Sequence, residues 1–243
     1  MSGSEFFSIA QGDLSHMNPV TPDQIQKAGS LAGLDSGTRV LDVGCGNGTM
    51  LQIWHETFGV SGVGIDREAD FCHCASALPC SSKTSAIDII CADCSYLPIS
   101  RTFDVSSCLG SAYIWGGYDE ALSAMRSLVP VGGTIILGDR YWKRSSAPPE
   151  FSREWPDVLS EYEILQAIRG AGYCLSGVVH STVTEWDMYE SSIWQSCLAW
   201  IRENPEHPDV EEVGEYLRLL QEEYTAYGRE FIGWGLYIMQ RII

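Results

Sequence analysis

Basic residues are scarce in this chain of 243 residues: 15 Lys and Arg stand against 32 Asp and Glu, a formal charge of −17. Neutralising phosphates takes a local excess of Lys and Arg, and an acidic surface repels nucleic acid and anionic headgroups alike. The longest basic cluster, Arg140, Lys143 and Arg144, is too thin to form a groove. Neither nucleic acid nor a membrane surface is therefore expected as a partner. Long apolar runs are missing as well, and nothing approaches the roughly 20 residues of a spanning helix. The N-terminal stretch lacks the basic and apolar regions of a secretory leader. The nine cysteines are an odd number without the density of a disulfide scaffold, which points to a reducing cytoplasm. Core material is not lacking: 45% of residues are hydrophobic and 19% charged, enough for one full-size domain.

Short β-rich apolar runs alternate with longer helical stretches, the pattern of an α/β fold. Strands are predicted at 39–43, 62–65, 87–91, 105–109, 134–137, 173–180 and 234–241. With helices between the first six, they form a doubly wound, seven-stranded, mostly parallel sheet. Glycine clusters at 44–48, 132–133 and 170–172 mark the turns. Two regions fall outside the alternation. Residues 5–33 precede the sheet as a helical segment, with Thr21 as N-cap and Pro22 at the first helical position. Residues 181–232 form a helical cap inserted before the last strand. Within it Ile193, Trp194, Cys197 and Ile201 recur at helical spacing, as do Val210, Val213, Leu217 and Leu220, with Pro205 and Pro208 between the two sets. The span 1–243 thus reads as one domain, with its core at 34–180 and its last strand within 233–243. Open α/β sheets bind ligands at the carboxyl ends of their strands. The cap and the 5–20 segment are expected to cover that end as walls and lid.

The most informative stretch is Val40-Leu41-Asp42-Val43-Gly44-Cys45-Gly46-Asn47-Gly48, a strand carrying an acid and then alternating glycines that open a helix. The glycines allow a tight turn and let a ligand approach the main chain. Thr49 stands where a dinucleotide site has its third Gly or Ala, so the NAD fingerprint fails. Asp42 would repel a pyrophosphate and suits a cationic amino group. The second strand ends at Asp66, placed to accept from ribose hydroxyls, and the third at Asp93, beside the expected adenine position. An amino acid joined to ribose and adenine describes S-adenosylmethionine (SAM).

At these residues the chain resembles the class I, Rossmann-like SAM-dependent methyltransferases. Residues 40–48 match their first motif, Gly64-Ile65-Asp66 the second, and Cys91-Ala92-Asp93 followed by Leu97-Pro98 the third. Phe103-Asp104-Val105 and Leu128-x3-Gly132-Gly133-Thr134 match later strands. The resemblance extends to a YjhP-type subgroup of prokaryotic methyltransferases. It is carried there by His16-x-Asn18-Pro19, residues 110–117, Tyr141-Trp142, Trp186-Asp187-x-Tyr189 and Tyr227-x-Arg229-Glu230-x3-Trp234-Gly235, nearly the whole chain. It implies SAM as methyl donor, with S-adenosylhomocysteine (SAH) as product. The cofactor contacts expected are Asp42, Gly44, Cys45, Gly46, Asp66, Arg67, Asp93, Cys94 and Leu109. The resemblance names no acceptor.

Methyl transfer from a sulfonium needs no metal. It needs an acceptor lone pair held in line, and a base where the acceptor is protonated. The catalytic candidates are Tyr113, Asp139, Tyr141 and His16, with His180 as a further possible base. Substrate contacts are expected from Trp115, Arg140 and Trp142 past the fourth and fifth strands, and from Asp187, Tyr189, Tyr227 and Arg229 in the insertion. Trp186, Trp194, Trp200 and Trp234 read as hydrophobic anchors. Cys91-x2-Cys94 has a zinc-knuckle spacing, with Cys72, Cys74 and Cys80 nearby. Residues 68–78 read as a helix that turns Cys72 and Cys74 to different sides, however, and Cys91 reads as a buried strand residue. No metal site is expected. The leading expectation is an enzyme moving a methyl to a small-molecule N, O or S acceptor, as a monomer or homodimer. A non-catalytic SAM- or SAH-binding protein and a cysteine-dependent metalloid methyltransferase are the alternatives.

Overall fold

The computed structural model describes residues 3–12, 14–78, 86–95, 99, 102–144, 146–153 and 155–242. Cys80 and the Leu97-Pro98 pair of the third motif lie outside the described residues. The strands are β1 (Arg39–Val43), β2 (Ser61–Asp66), β3 (Ile87–Cys91), β4 (Val105–Leu109), β5 (Thr134–Trp142), β6 (Tyr173–His180) and β7 (Ile232–Arg241). The helices used below are α1 (Gly3–Gln11), α2 (Pro22–Leu31), α3 (Thr49–Phe58), α4 (Ala69–Ser76), α5 (Tyr118–Met125), α6 (Pro149–Ser152), α7 (Glu161–Gly170), α8 (Val183–Glu203) and α9 (Val210–Glu223).

The sheet order is β3-β2-β1-β4-β5-β7-β6, with β3 through β5 mutually parallel and β7 antiparallel to both its neighbours. β1 from Val40 onward and all of β4 are buried, because helices cover both faces. Such strands read as continuous runs rather than alternations. Order reverses between β1 and β4, and this switch point opens a crevice at their carboxyl ends. Two expectations need correction. β5 runs five residues beyond the predicted 134–137, since antiparallel β7 goes on pairing past the parallel strands, with Asp139 opposite Gly235 and Arg140 opposite Trp234. No helix lies between β3 and β4 among the described residues.

One apolar layer on the sheet gathers Ile25, Trp54 and Ile136; the other gathers Leu122, Met125, Ile164 and Tyr173. The Trp54 indole donates to the Ile25 carbonyl at 2.8 Å, tying α3 to α2. A reciprocal capping box between Thr21 and Gln24 starts α2, and another between Thr182 and Glu185 starts α8. Ala10 and Leu14 pack with Ile193, Cys197, Val213 and Leu217, so the N-terminal segment and the two cap helices share a small core of their own. Among the described residues no helix is long and apolar enough to cross a membrane.

Candidate active site

A cavity of about 650 Å³ opens at the carboxyl ends of β1, β4 and β5, within the range of small-ligand sites. One half is built on the glycine-rich loop. Gly44 and Gly46 have φ of +72° and +53°, which disfavours any side chain. A Cβ at Gly44 would also strike Ser111, and one at Gly46 would stand 2.5 Å from Met17 Sδ. The Gly44 and Cys45 amides both donate to the Ile65 carbonyl, at 2.8 and 3.0 Å, and so pin the loop to the end of β2. Asp66 accepts from the Gly46 amide at 2.8 Å on one oxygen and from the Glu68 amide at 2.9 Å on the other. Each oxygen keeps a lone pair for a ligand.

Asp42 is 2% exposed and accepts from Ser107 Oγ at 2.8 Å. Burial pushes its carboxyl up to about 7, with the Ser107 bond opposing and the Asp66 charge adding to the rise. A cation beside it would be attracted and would restore its ionisation. The other cofactor candidates, Arg67, Asp93, Cys94 and Leu109, line the same half. Asp93 accepts from the Ser95 hydroxyl and amide, which lowers its pKa, so it caps its own turn as well as facing the cavity.

The N-terminal segment crosses above this loop. Asn47 Nδ2 donates to the Leu14 and Ser15 carbonyls at 2.9 and 3.3 Å, and the Tyr189 hydroxyl donates to the Met17 carbonyl at 3.2 Å. The Ser181 hydroxyl donates to the Pro19 carbonyl. Residues 14–19 are thus a strap joining the glycine-rich loop to the cap. His16 lines the cavity, with Nδ1 2.9 Å from Ser15 Oγ. Burial lowers its pKa and favours the neutral ring. His16 Nε2 and Asn18 Oδ1 are buried without a hydrogen-bond partner among the described residues, polar atoms left for a ligand.

The other half lies under the cap. Asp139 and Arg140 enter from β5, Trp186, Tyr189, Glu190 and Ile193 from α8, and Tyr216, Leu220 and Glu223 from α9. The expected insertion therefore does cover the carboxyl ends of β1, β4 and β5. Asp139 Oδ1 accepts the Arg140 amide at 2.8 Å and lies 3.9 Å from Arg140 Nε. Burial raises the Asp139 pKa and lowers that of Arg140. The Arg140 guanidinium stacks 3.9 Å from the Trp155 ring centre. Trp155 and Trp234, which also line the cavity, have buried indole N–H groups without a partner among the described residues.

Several expected site residues stand elsewhere. Tyr141 turns to the opposite face of β5, against Tyr237 and 5.3 Å from the His180 ring. His180 lies outside the cavity, with Nε2 2.6 Å from Glu161. Trp142 packs edge-on to Phe151, and Tyr227 stacks on Phe151 with its hydroxyl toward Glu150. Trp115 packs on the layer beneath the sheet. Tyr113 lines the cavity but is 63% exposed, at its mouth.

Asp187 and Arg229 satisfy each other, through Nε at 2.8 Å and Nη2 at 3.1 Å, instead of lining the cavity. Asp187 also accepts from the Tyr224 hydroxyl at 2.7 Å, at the start of a single π-helical turn (Tyr224–Gly228). Tyr224 does line the cavity, so Asp187 acts on it through Tyr224. Replacing Asp187 with alanine is expected to cut turnover several-fold while SAH affinity stays within a few-fold; equal losses in both would show a general collapse of the fold.

Glu190, Glu223 and Trp155 were not expected. Glu190 carried a legible signal, since it interrupts the apolar α8 stripe one turn from Trp186 and Ile193. Trp155 sits between helices, where no periodicity exists to reveal it.

Cys45 and Cys94 line the cavity, but burial raises both thiols, the reverse of what a reactive thiolate requires. Cys72 is buried and Cys74 exposed, on different sides of α4 as expected. Cys91, expected to be buried, is exposed on the edge strand. No three His, Cys, Asp or Glu side chains among the described residues gather as a metal site. Methyl transfer is expected to survive chelation, and elemental analysis finding about one zinc per chain would contradict this.

Residues 40–133 match the family model of a methyltransferase domain. The chain is 28% identical over 242 residues to YjhP of Escherichia coli strain K12, covering 96% of each protein. The crystal structure of YjhP matches at a TM-score of 0.91, with 27% identity, over 98% of this chain and 99% of that one. A SAM-dependent methyltransferase from Geobacter sulfurreducens, crystallised with SAH, matches at 0.90, with 28% identity over 98% of both chains. One from Thiobacillus denitrificans, also with SAH, matches at 0.90, with 28% identity over 99% of this chain and 100% of that one.

Proposed function

We propose that this chain, a SAM-dependent methyltransferase on the class I fold, transfers the methyl group to a small molecule enclosed beneath the cap. The carrying observation is one continuous cavity with two differently built ends. The glycine-rich loop, Asp42 and Asp66 form one, and side chains from β5, α8 and α9 form the other. The cofactor end fits SAM: Asp42 suits its ammonium, Asp66 its ribose hydroxyls, and the side-chain-free Gly44 and Gly46 admit its methionine portion. When bound, SAM supplies an electrophilic methyl on a sulfonium.

The chain's own residues hold the acceptor and exclude water. Asp139 and Tyr189 line the cap end, and the 14–19 strap joins the glycine-rich loop to the cap. A few polar groups in an otherwise aromatic enclosure favour a small acceptor over a macromolecular one. Incubation with methyl-radiolabelled SAM and a cell extract tests this. Label is expected in compounds that pass a protein-retaining filter, and label confined to the retained macromolecules would contradict it.

A further inference from the structure

Behind the cofactor end of the cavity, two thiols from different elements meet. Cys72 is on α4, and Cys91 ends β3, where it pairs in register with Asp66. Cys72 Sγ donates to the Asp66 carbonyl at 3.2 Å, and Cys91 Sγ lies 3.8 Å from the next carbonyl along, that of Arg67. The Cys72 thiol also hydrogen-bonds Cys91 Sγ. Asp66, Arg67, Phe71 and Ala92, which adjoin the two sulfurs, line the cavity, whereas Cys72 and Cys91 do not. The methyl transfer described above uses neither thiol. We propose that Cys72 and Cys91 form a redox pair, which a peroxide closes into a disulfide that weakens SAM binding at Asp66.

The two thiols are unequal in the way such a pair requires. Cys91 is exposed and Cys72 buried, so an oxidant meets Cys91 first while Cys72 stands beside it as the resolving thiol. Burial, then the hydrogen bond and charge of Cys91, then the charge of Asp66, push the Cys72 thiol up to about 12. That keeps it inert in the reduced protein. Oxidation of Cys91 removes its hydrogen bond and its negative charge together, which frees Cys72 to react. In the first step the Cys91 thiolate attacks a peroxide oxygen. The O–O bond breaks, a sulfenic acid forms, and the departing hydroxide takes up the Cys91 proton as water. Cys72 sulfur then attacks Cys91 Sγ. The S–S bond forms as the S–O bond breaks, and the Cys72 proton leaves with the hydroxyl as a second water. The two thiols lose the two electrons that the peroxide gains. Closure takes the Cys72 donor from the Asp66 carbonyl, which also accepts the Ala92 amide at 2.8 Å. It also draws α4 toward the end of β3, beside the carboxylate expected to receive the ribose.

The test compares the reduced full chain with protein treated with hydrogen peroxide and then alkylated at its remaining free thiols. Non-reducing peptide mass spectrometry is expected to find Cys72 joined to Cys91, and calorimetry to show SAH bound roughly 10-fold more weakly. A thiol reductant should restore the affinity. Cys91→Ser changes an exposed side chain, so it should bind SAH as reduced wild type does and keep that affinity through peroxide treatment. Cys74→Ser, on the other side of α4, should respond to peroxide as wild type does. A bridge through any other cysteine, or no bridge, overturns the pair. A Cys72–Cys91 bridge that leaves SAH affinity unchanged overturns its control of the site. The effect on binding rests on the cofactor reading above. Reduced wild type that binds no SAH sinks that reading, while the mapped bridge still decides whether the thiols are a pair.

Discussion

Replacing Asp66 with alanine is expected to weaken SAM binding by about 1.5–3 kcal/mol, roughly 10- to 150-fold in Kd, the range for hydrogen bonds to a charged group. The carboxylate has two duties. It accepts the Gly46 and Glu68 amides, at 2.8 and 2.9 Å, and so fixes the glycine-rich loop against the end of β2. Asp66 also lines the cavity, where its remaining lone pairs are expected to accept from ribose hydroxyls. Asparagine is no rescue. Both oxygens already receive backbone N–H groups, so the amide NH2 would oppose one of them, and Asp66→Asn should bind SAM nearly as poorly as Asp66→Ala. Calorimetric titration measures both, and an unchanged Kd in either variant contradicts the assignment.

The second large effect concerns Asp42 and pH. Its folded-state pKa is raised from the usual carboxylate range to about 7, so the fold prefers the protonated acid. This group therefore costs nothing below the unfolded-state value near 4, and its penalty grows as pH climbs toward the folded-state value. At about 1.4 kcal/mol per unit, the full penalty above neutrality is roughly 4 kcal/mol. Asp42→Asn keeps an acceptor for Ser107 Oγ and removes the charge. Its stability advantage over wild type should grow by about 2–3 kcal/mol between pH 5 and pH 8, measured by denaturant unfolding without SAM. Saturating SAH should shrink the advantage, because its ammonium stabilises the ionised wild-type carboxylate. A difference independent of pH would show that Asp42 ionises at an ordinary value.

The cofactor half was legible because its requirements are local. The turn after β1 needs positive φ at Gly44 and Gly46, and strand ends place Asp42 and Asp66 at fixed offsets from it. The strands were legible for a related reason: Val40–Val43 and the β4 run are buried on both faces and leave no polar alternation to confuse them. The half under the cap depends on orientation, which sequence proximity does not supply. Tyr141 follows Arg140 directly, yet falls on the opposite face of β5, while Asp187 and Arg229, 42 residues apart, satisfy each other. Glu190 and Glu223 meet only because α8 and α9 pack against each other around Ile193, Val213 and Leu217.

Titration calorimetry of the full chain with SAH and with NAD+ bears most directly on the central claim. One SAH is expected to bind per chain, with binding weakened in Asp66→Ala, and NAD+ is expected to give no heat. Binding of NAD+ in the absence of SAH binding would contradict it.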